Sequence, residues 1–172
     1  GIFFASDPAF KGVKRELTAA DYVYSYKRFA DPAVKSPAWS WLETYEFLGL
    51  SELRQQALAK KQPFDYDKPI EGLQALDRYT VRFRMASPRP RFITGALASG
   101  DLFGAVAREV VEFYGDKIME HPVGTGPFRL AEWRRSSRIV LERNPGYREV
   151  VYDEEAPADD ARSQAIAAQL KG

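Results

Sequence analysis

Apolar positions recur along this chain at two spacings, and the change from one to the other orders its elements. Tyr22, Val23, Tyr26, Phe29 and Ala30 fall three to four residues apart, the spacing that collects side chains on one face of an α-helix. Thr18-Ala19-Ala20-Asp21 precedes them and offers a hydroxyl and a carboxylate to the orphan amides of a first turn, so a helix is predicted to start there. Asp31-Pro32 ends it, because the residue before a proline is pushed out of the helical region. A second periodic stretch, with Ser51 as its cap, carries Leu53, Ala57 and Leu58 and runs out in the polar loop Lys60-Lys61-Gln62-Pro63.

Period-two alternation follows. Tyr79, Val81, Phe83 and Met85 share one face of a predicted strand, which pairs with Gly72–Leu76 across an Asp77-Arg78 turn. Ser87-Pro88-Arg89-Pro90 breaks the strand, a short helix is predicted from Phe92 to Leu97, and Ser99–Gly104 is a glycine-punctuated boundary. Val106, Val110, Val111, Phe113 and Tyr114 predict another helix, and 128–133 with 138–143 predict a hairpin followed by a turn at Asn144-Pro145-Gly146-Tyr147. The acidic run Asp153-Glu154-Glu155 leads to a weak helical stripe of Ala161, Ile166, Ala167 and Leu170 close to Gly172, which reads as a piece cut from a longer protein.

Composition narrows the function classes. With 45% hydrophobic and 28% charged residues the chain reads as an ordinary globular α+β protein, able to bury one sizeable core or two small ones. Lys and Arg number 25 against 24 Asp and Glu, which leaves no field for steering a polyanion, so nucleic acid is not an expected partner. Arg134, Arg135 and Arg138, interrupted by Ser136 and Ser137, read as a solvated hairpin tip rather than a phosphate patch. There is no cysteine, hence no disulfide framework, thiolate site or cysteine nucleophile. No run approaches the ~18 apolar residues of a membrane helix, and Gly1-Ile2-Phe3-Phe4 lacks the marks of a signal peptide.

Candidate chemistry is sparse. The single histidine, His121, stands before Pro122 without an evident partner and reads as a loop residue rather than a base or metal ligand. The pairs Glu154-Glu155 and Asp159-Asp160 sit in a polar tail and read as solvated. Pro122–Phe128 carries two glycines around Thr125, but it lacks the spacing and the lysine of a phosphate loop and reads as a rigid chain reversal. No catalytic residue, metal site or cofactor is assigned. The aromatic segment around Trp39, Trp41, Tyr45 and Phe47 is either core, the favoured reading, or the wall of a ligand cleft, in which case Trp39, Trp41 and Tyr45 are the candidate ligand-binding residues.

Three stretches in order carry a resemblance. RELTAADYVYSYKRFADPAVKSP at 15–37, GLQALDRYTVRFRM at 72–85 and PVGTGPFRLAEWRRSSRIVLERNPGYRE at 122–149 resemble the family 5 extracellular solute-binding proteins, which serve importers of peptides and nickel. The resemblance implies a piece of a two-lobed periplasmic binding protein: residues 1–104 in an additional small domain and 105–172 in part of the first ligand-binding lobe. It implies a non-enzymatic, periplasmic or lipid-anchored subunit that captures a dipeptide, oligopeptide or other small solute for an ABC permease. Peptide binders of that family often have a tyrosine after Ser-Pro where this chain has Ala38, which leaves the ligand class open between peptide, nickel chelate and sugar. A hydrolase using Asp and Glu, and a pure interaction domain, are the alternatives.

Overall fold

A computed structural model describes residues 1–98 and 103–171 of the chain. Helix α1 (Ala19–Ala30) is the element around which the amino-terminal part is built, with α2 (Trp39–Glu43), α3 (Leu50–Lys60), β1 (Leu73–Ala75) and β2 (Val81–Phe83) packed against it. It starts where the sequence predicts, with Thr18 extended at φ −130° and ψ 168°. Asp21 Oδ2 accepts from the Thr18 amide at 2.7 Å and from the Thr18 hydroxyl at 2.9 Å, so the carboxylate joins the two sides of the cap. Asp31 leaves the helix with ψ 118°, as a residue before proline must. The predicted stripe is the core face: Tyr26 and Ala30 are fully buried, and Tyr22, Val23 and Phe29 pack against the same cluster.

That cluster is dense in aromatic rings. Tyr26 lies 5.2 Å from Phe83, 5.5 Å from Phe103 and 5.9 Å from Phe47, within the range where edge and tilted ring pairs attract. Strands β1 and β2 are antiparallel, with Leu73 opposite Phe83 and Ala75 opposite Val81. One expectation is corrected: the Leu76 amide donates to the Thr80 carbonyl at 2.9 Å and closes the hairpin, so Tyr79 falls in the turn, 67% exposed, where its hydroxyl donates to the Glu16 carboxylate. Helix α3 starts two residues earlier than predicted, with Gly49 left-handed at φ 86° as its cap rather than Ser51, and Leu50 and Leu53 form its buried side while Leu58 is exposed. Between Phe92, which is buried, and Ala98 the chain makes a single π-helical turn, Ile93–Leu97, closed by the Ala98 amide on the Ile93 carbonyl at 2.9 Å.

A second, smaller cluster is made of Phe4, Phe10, Ala107 and Val110, with Leu17, Tyr114, Ile118 and Val123 around it. It joins the amino-terminal segment to α4 (Arg108–Tyr114), 94 residues further on in the case of Arg15 and Glu109. Of the residues that predict α4, Val106 precedes the helix and Phe113 lies on its exposed side, while Val110 is buried. The predicted boundary at Ser99–Gly104 falls largely on Ser99–Leu102, outside the described residues, while Phe103 belongs to the first cluster.

Strands β3 (Phe128–Arg134) and β4 (Arg138–Arg143) form the predicted hairpin, with Ala131 as a bulge between the Leu130–Leu141 and Glu132–Val140 pairs. Its tip turns on Ser136 in the left-handed region at φ 57°. The preceding loop bends at residues 125–127, and neither Gly124 nor Gly126 uses a positive φ. Hydrogen bonds fix it instead, from the Ala5 amide to the Gly124 carbonyl (2.8 Å) and from the buried Asn144, whose side chain donates to the Gly126 carbonyl (3.0 Å). Helix α5 (Ala161–Leu170) is capped by Asp160, which accepts from the amides of Arg162 and Ser163, and none of its residues is buried.

Candidate ligand-binding wall

The aromatic segment enters through Ser36-Pro37, and α2 follows as a helix of little more than one turn. Residues two apart on a helix are turned by about 200° from one another, so Trp39 and Trp41 look to opposite sides, whereas Trp41 and Tyr45 are four apart and meet. The Trp41 and Tyr45 rings are edge to face at 5.1 Å and 85°, and Trp41 is also 4.9 Å from Phe103. Tyr45 is core, packed on Phe92 at 5.3 Å and Phe47 at 6.1 Å. Trp39 packs against the same cluster from another side, with the Arg54 guanidinium 5.0 Å over its ring and Arg54 anchored to the Ala30 carbonyl at 2.9 Å. The three candidates therefore do not converge: Trp41, 38% exposed, is the one that presents a substantial apolar edge to solvent.

Polar side chains gather elsewhere. A groove of about 600 Å³ runs beside α2, lined by Glu43, Glu46, Ser51, Glu52 and Arg89, and Glu46 accepts from both Ser87 and Arg89. A second groove of about 480 Å³ lies between α1 and α4 and contains Tyr24, Lys27, Tyr66, Asp67 and Arg108. Lys27 is only 4% exposed, and its ammonium donates to the carbonyls of Tyr66 (2.7 Å) and Lys68 (2.8 Å). Burial pushes its pKa below the ordinary lysine value, with Asp65 and Asp67 pulling partly back. The Tyr66 hydroxyl donates to Asp31 at 2.6 Å, and burial together with that carboxylate raises its pKa. Periodicity does not single out Lys27 from other helical lysines; the alternating aromatics Phe64 and Tyr66 are the signal that marks the loop it holds. A third cleft, about 500 Å³ and largely apolar, separates Val106, Val110 and Val111 from Phe128, Leu130 and Leu141 of the hairpin.

His121 is a loop residue, stacked on the Tyr114 ring at 3.7 Å and 7°. Arg134 and Arg138 both pair with Glu132 at the exposed hairpin tip, and Arg135 lies 5.5 Å over Trp133. Glu154, Glu155 and Asp159 are exposed in the tail. Among the described residues no three His, Asp or Glu side chains are grouped to hold a metal ion. Among the described residues every carboxyl with a displaced pKa moves down: Glu16 beside Arg78, Asp67 beside Arg108, Asp77 on the Tyr79 amide and Asp160 on Ser163. Glu109 follows, where burial acts upward but the hydrogen bond and charge of Arg15 outweigh it.

Comparison with known proteins follows this geometry. The sequence model of the bacterial extracellular solute-binding proteins, family 5 middle region, matches residues 12–168. The periplasmic oligopeptide-binding protein OppA of Salmonella typhimurium is 34% identical over 133 residues, which are 76% of this chain and 23% of that protein. The di/tripeptide-binding protein 2 of Pseudomonas aeruginosa is 27% identical over 151 residues, 86% of this chain and 25% of that one. Among solved structures, Burkholderia pseudomallei OppA superposes with a TM-score of 0.59 at 29% identity, over 78% of this chain and 24% of its own. Haemophilus influenzae OppA in complex with RPPGFSPFR does so with a TM-score of 0.57 at 28% identity, over 76% and 24%. The chain thus spans about a quarter of the length of these relatives, which are named as binding proteins. With a mixed helix-and-strand fold that follows theirs and a family match over nearly its whole length, the chain belongs to family 5 of the bacterial extracellular solute-binding proteins.

Proposed function

We propose that this chain is part of a peptide-capturing subunit of an ABC-type importer, acting in the periplasm or at the cell surface and handing its ligand to a membrane permease. The observation that carries the reading, beside the family match, is the aromatic packing of the candidate wall. What the site offers is shape: a buried aromatic scaffold with the Trp41 edge at its surface. The division at residue 104 into an additional domain and part of the first lobe belongs to this proposal. So does a ligand role for Trp39, Trp41 and Tyr45, in which Trp41 makes the contact, Tyr45 supports it from the core and Trp39 stays with Arg54.

In a two-lobed capture protein the ligand bonds are complete only when both lobes close, so binding shifts the population toward the closed form. Calorimetry tests this with defined di-, tri- and pentapeptides, titrated into the 172-residue chain and into a longer protein that carries it together with the opposing lobe. The longer protein is expected to release heat saturably, with Trp41→Ala weakening binding by about tenfold, a typical loss for a part-exposed aromatic contact. The chain alone is expected to give none. Saturable peptide binding by the chain alone would contradict the shared-wall reading, and silence from the longer protein would remove the peptide assignment.

A further inference from the structure

The geometry points to Arg15 and Arg108 as a two-arginine strut that clamps α4 onto the polar face of α1 and makes the two apolar clusters move as one body. The clusters share no buried side chain: the first is built on α1 and the second on Phe4, Phe10, Ala107 and Val110. The seam between them is polar, and polar seams leave relative motion as the default unless specific bonds remove it.

Arg15 supplies those bonds with its whole donor set. Its Nε and Nη2 donate to the Glu109 carboxylate of α4 at 2.8 and 3.3 Å, and its Nη1 and Nη2 donate to the Asp21 carboxylate of α1 at 3.0 and 2.6 Å. Nη1 also donates to the Glu16 carbonyl, so all five N–H groups of the fork are engaged. A planar, permanently charged fork can hold each of two carboxylates on different elements through two N–H groups, which the three donors of a lysine cannot do. Asp21 is itself fixed, 3% exposed and bonded to the Thr18 amide and hydroxyl.

Arg108 makes the second arm. It joins Glu112 of α4 to Asp67 in the loop held by Lys27, at 2.6 and 2.5 Å, and lies 5.7 Å over the Tyr24 ring of α1 and 5.9 Å over that of Tyr66. Between the two arms the Val106 amide donates to Ser25 Oγ of α1 at 2.9 Å, and that hydroxyl donates to the Asp21 carbonyl at 2.7 Å. Entry into α4 is therefore tied to α1 and its loop at residues 106, 108 and 109, each time by polar contacts. The inference stands on these contacts and holds whatever ligand the protein takes.

Hydrogen–deuterium exchange on the 172-residue protein reads the strut segment by segment. Glu109→Gln removes the charge and one of the two acceptor oxygens at one end of the Arg15 fork, at an exposed position where misfolding is not at issue, and Arg15→Met removes the fork itself. Amides of α4 are expected to exchange about tenfold faster in either variant, while those of α1 and of β1–β2 stay within about twofold of the parent, the signature of local rather than global opening. The double variant should be no faster in α4 than Arg15→Met alone, since both remove the same bond. Unchanged α4 exchange in Glu109→Gln overturns the proposal. So does equal acceleration of α1 and α4, which marks loss of overall stability instead of release of a clamp.

Discussion

Gly72 is the position where a single methyl group should do the most damage. It is buried where β1 crosses the Phe47–Leu48 backbone, and a Cβ built there falls 2.5 Å from the Leu48 nitrogen, 2.7 Å from the Leu48 oxygen and 2.8 Å from the Phe47 carbonyl carbon. All three are backbone atoms, so no side chain can swing away, and ordinary carbon contacts begin at about 3.5 Å. Relief requires the two segments to part by roughly 1 Å, given that same spacing. Such a movement stretches three linked bonds: Gly72 N to Leu48 O at 2.7 Å, Arg84 N to Gly72 O at 3.0 Å and Leu48 N to Arg84 O at 3.1 Å. Overpacking costs about 1–3 kcal/mol and each weakened backbone bond up to about 1 more, so Gly72→Ala should lose about 3–5 kcal/mol. For a chain of this size that lowers the melting temperature by roughly 6–20 °C. Thermal unfolding followed by near-ultraviolet circular dichroism measures it, with Gly126→Ala as the control because nothing lies within 4 Å of a Cβ there. If Gly72→Ala melts within about 2 °C of the parent, the close approach of these backbones does not hold the fold together as argued.

Two further substitutions test the core of α1. The Tyr26 hydroxyl is buried without a hydrogen-bond partner among the described residues, so Tyr26→Phe should leave stability unchanged or raise it by about 1 kcal/mol; urea unfolding that shows a clear loss would reveal a partner for it. Lys27→Met strips the donor from the Tyr66 and Lys68 carbonyls and should cost about 1–3 kcal/mol at neutral pH. Because burial lowers the Lys27 pKa, the unfolded chain binds more protons between that lowered value and the ordinary 10.5, and the parent gains stability as pH rises through this window. The deficit of Lys27→Met measured by urea titration should widen from pH 7.5 toward alkaline pH, and a constant or shrinking deficit would show that the ammonium is not desolvated.

The outline of the fold was legible because it rests on local geometry. The face of α1, its stop at Asp31-Pro32 and the β3–β4 hairpin each follow from which residues recur at the period of a helix or a strand, and these periods are properties of the backbone within a few residues. The family was legible for a related reason, since three stretches appear in the right order over most of the chain. The candidate site was legible only as a cluster of aromatic residues. Sequence spacing marks Trp39, Trp41 and Tyr45 alike, and only packing buries Tyr45, hands Trp39 to Arg54 and leaves the Trp41 edge exposed. The same holds for Tyr79, which alternation assigns to the strand and the turn closed by Leu76 and Thr80 takes out of it. Tertiary structure alone joined Arg15 to Glu109, brought Gly72 against Leu48 and seated Lys27 beneath the loop at Tyr66. Such contacts lie tens of residues apart along the chain, and a local pattern says which side of an element turns inward but not what waits on the other side.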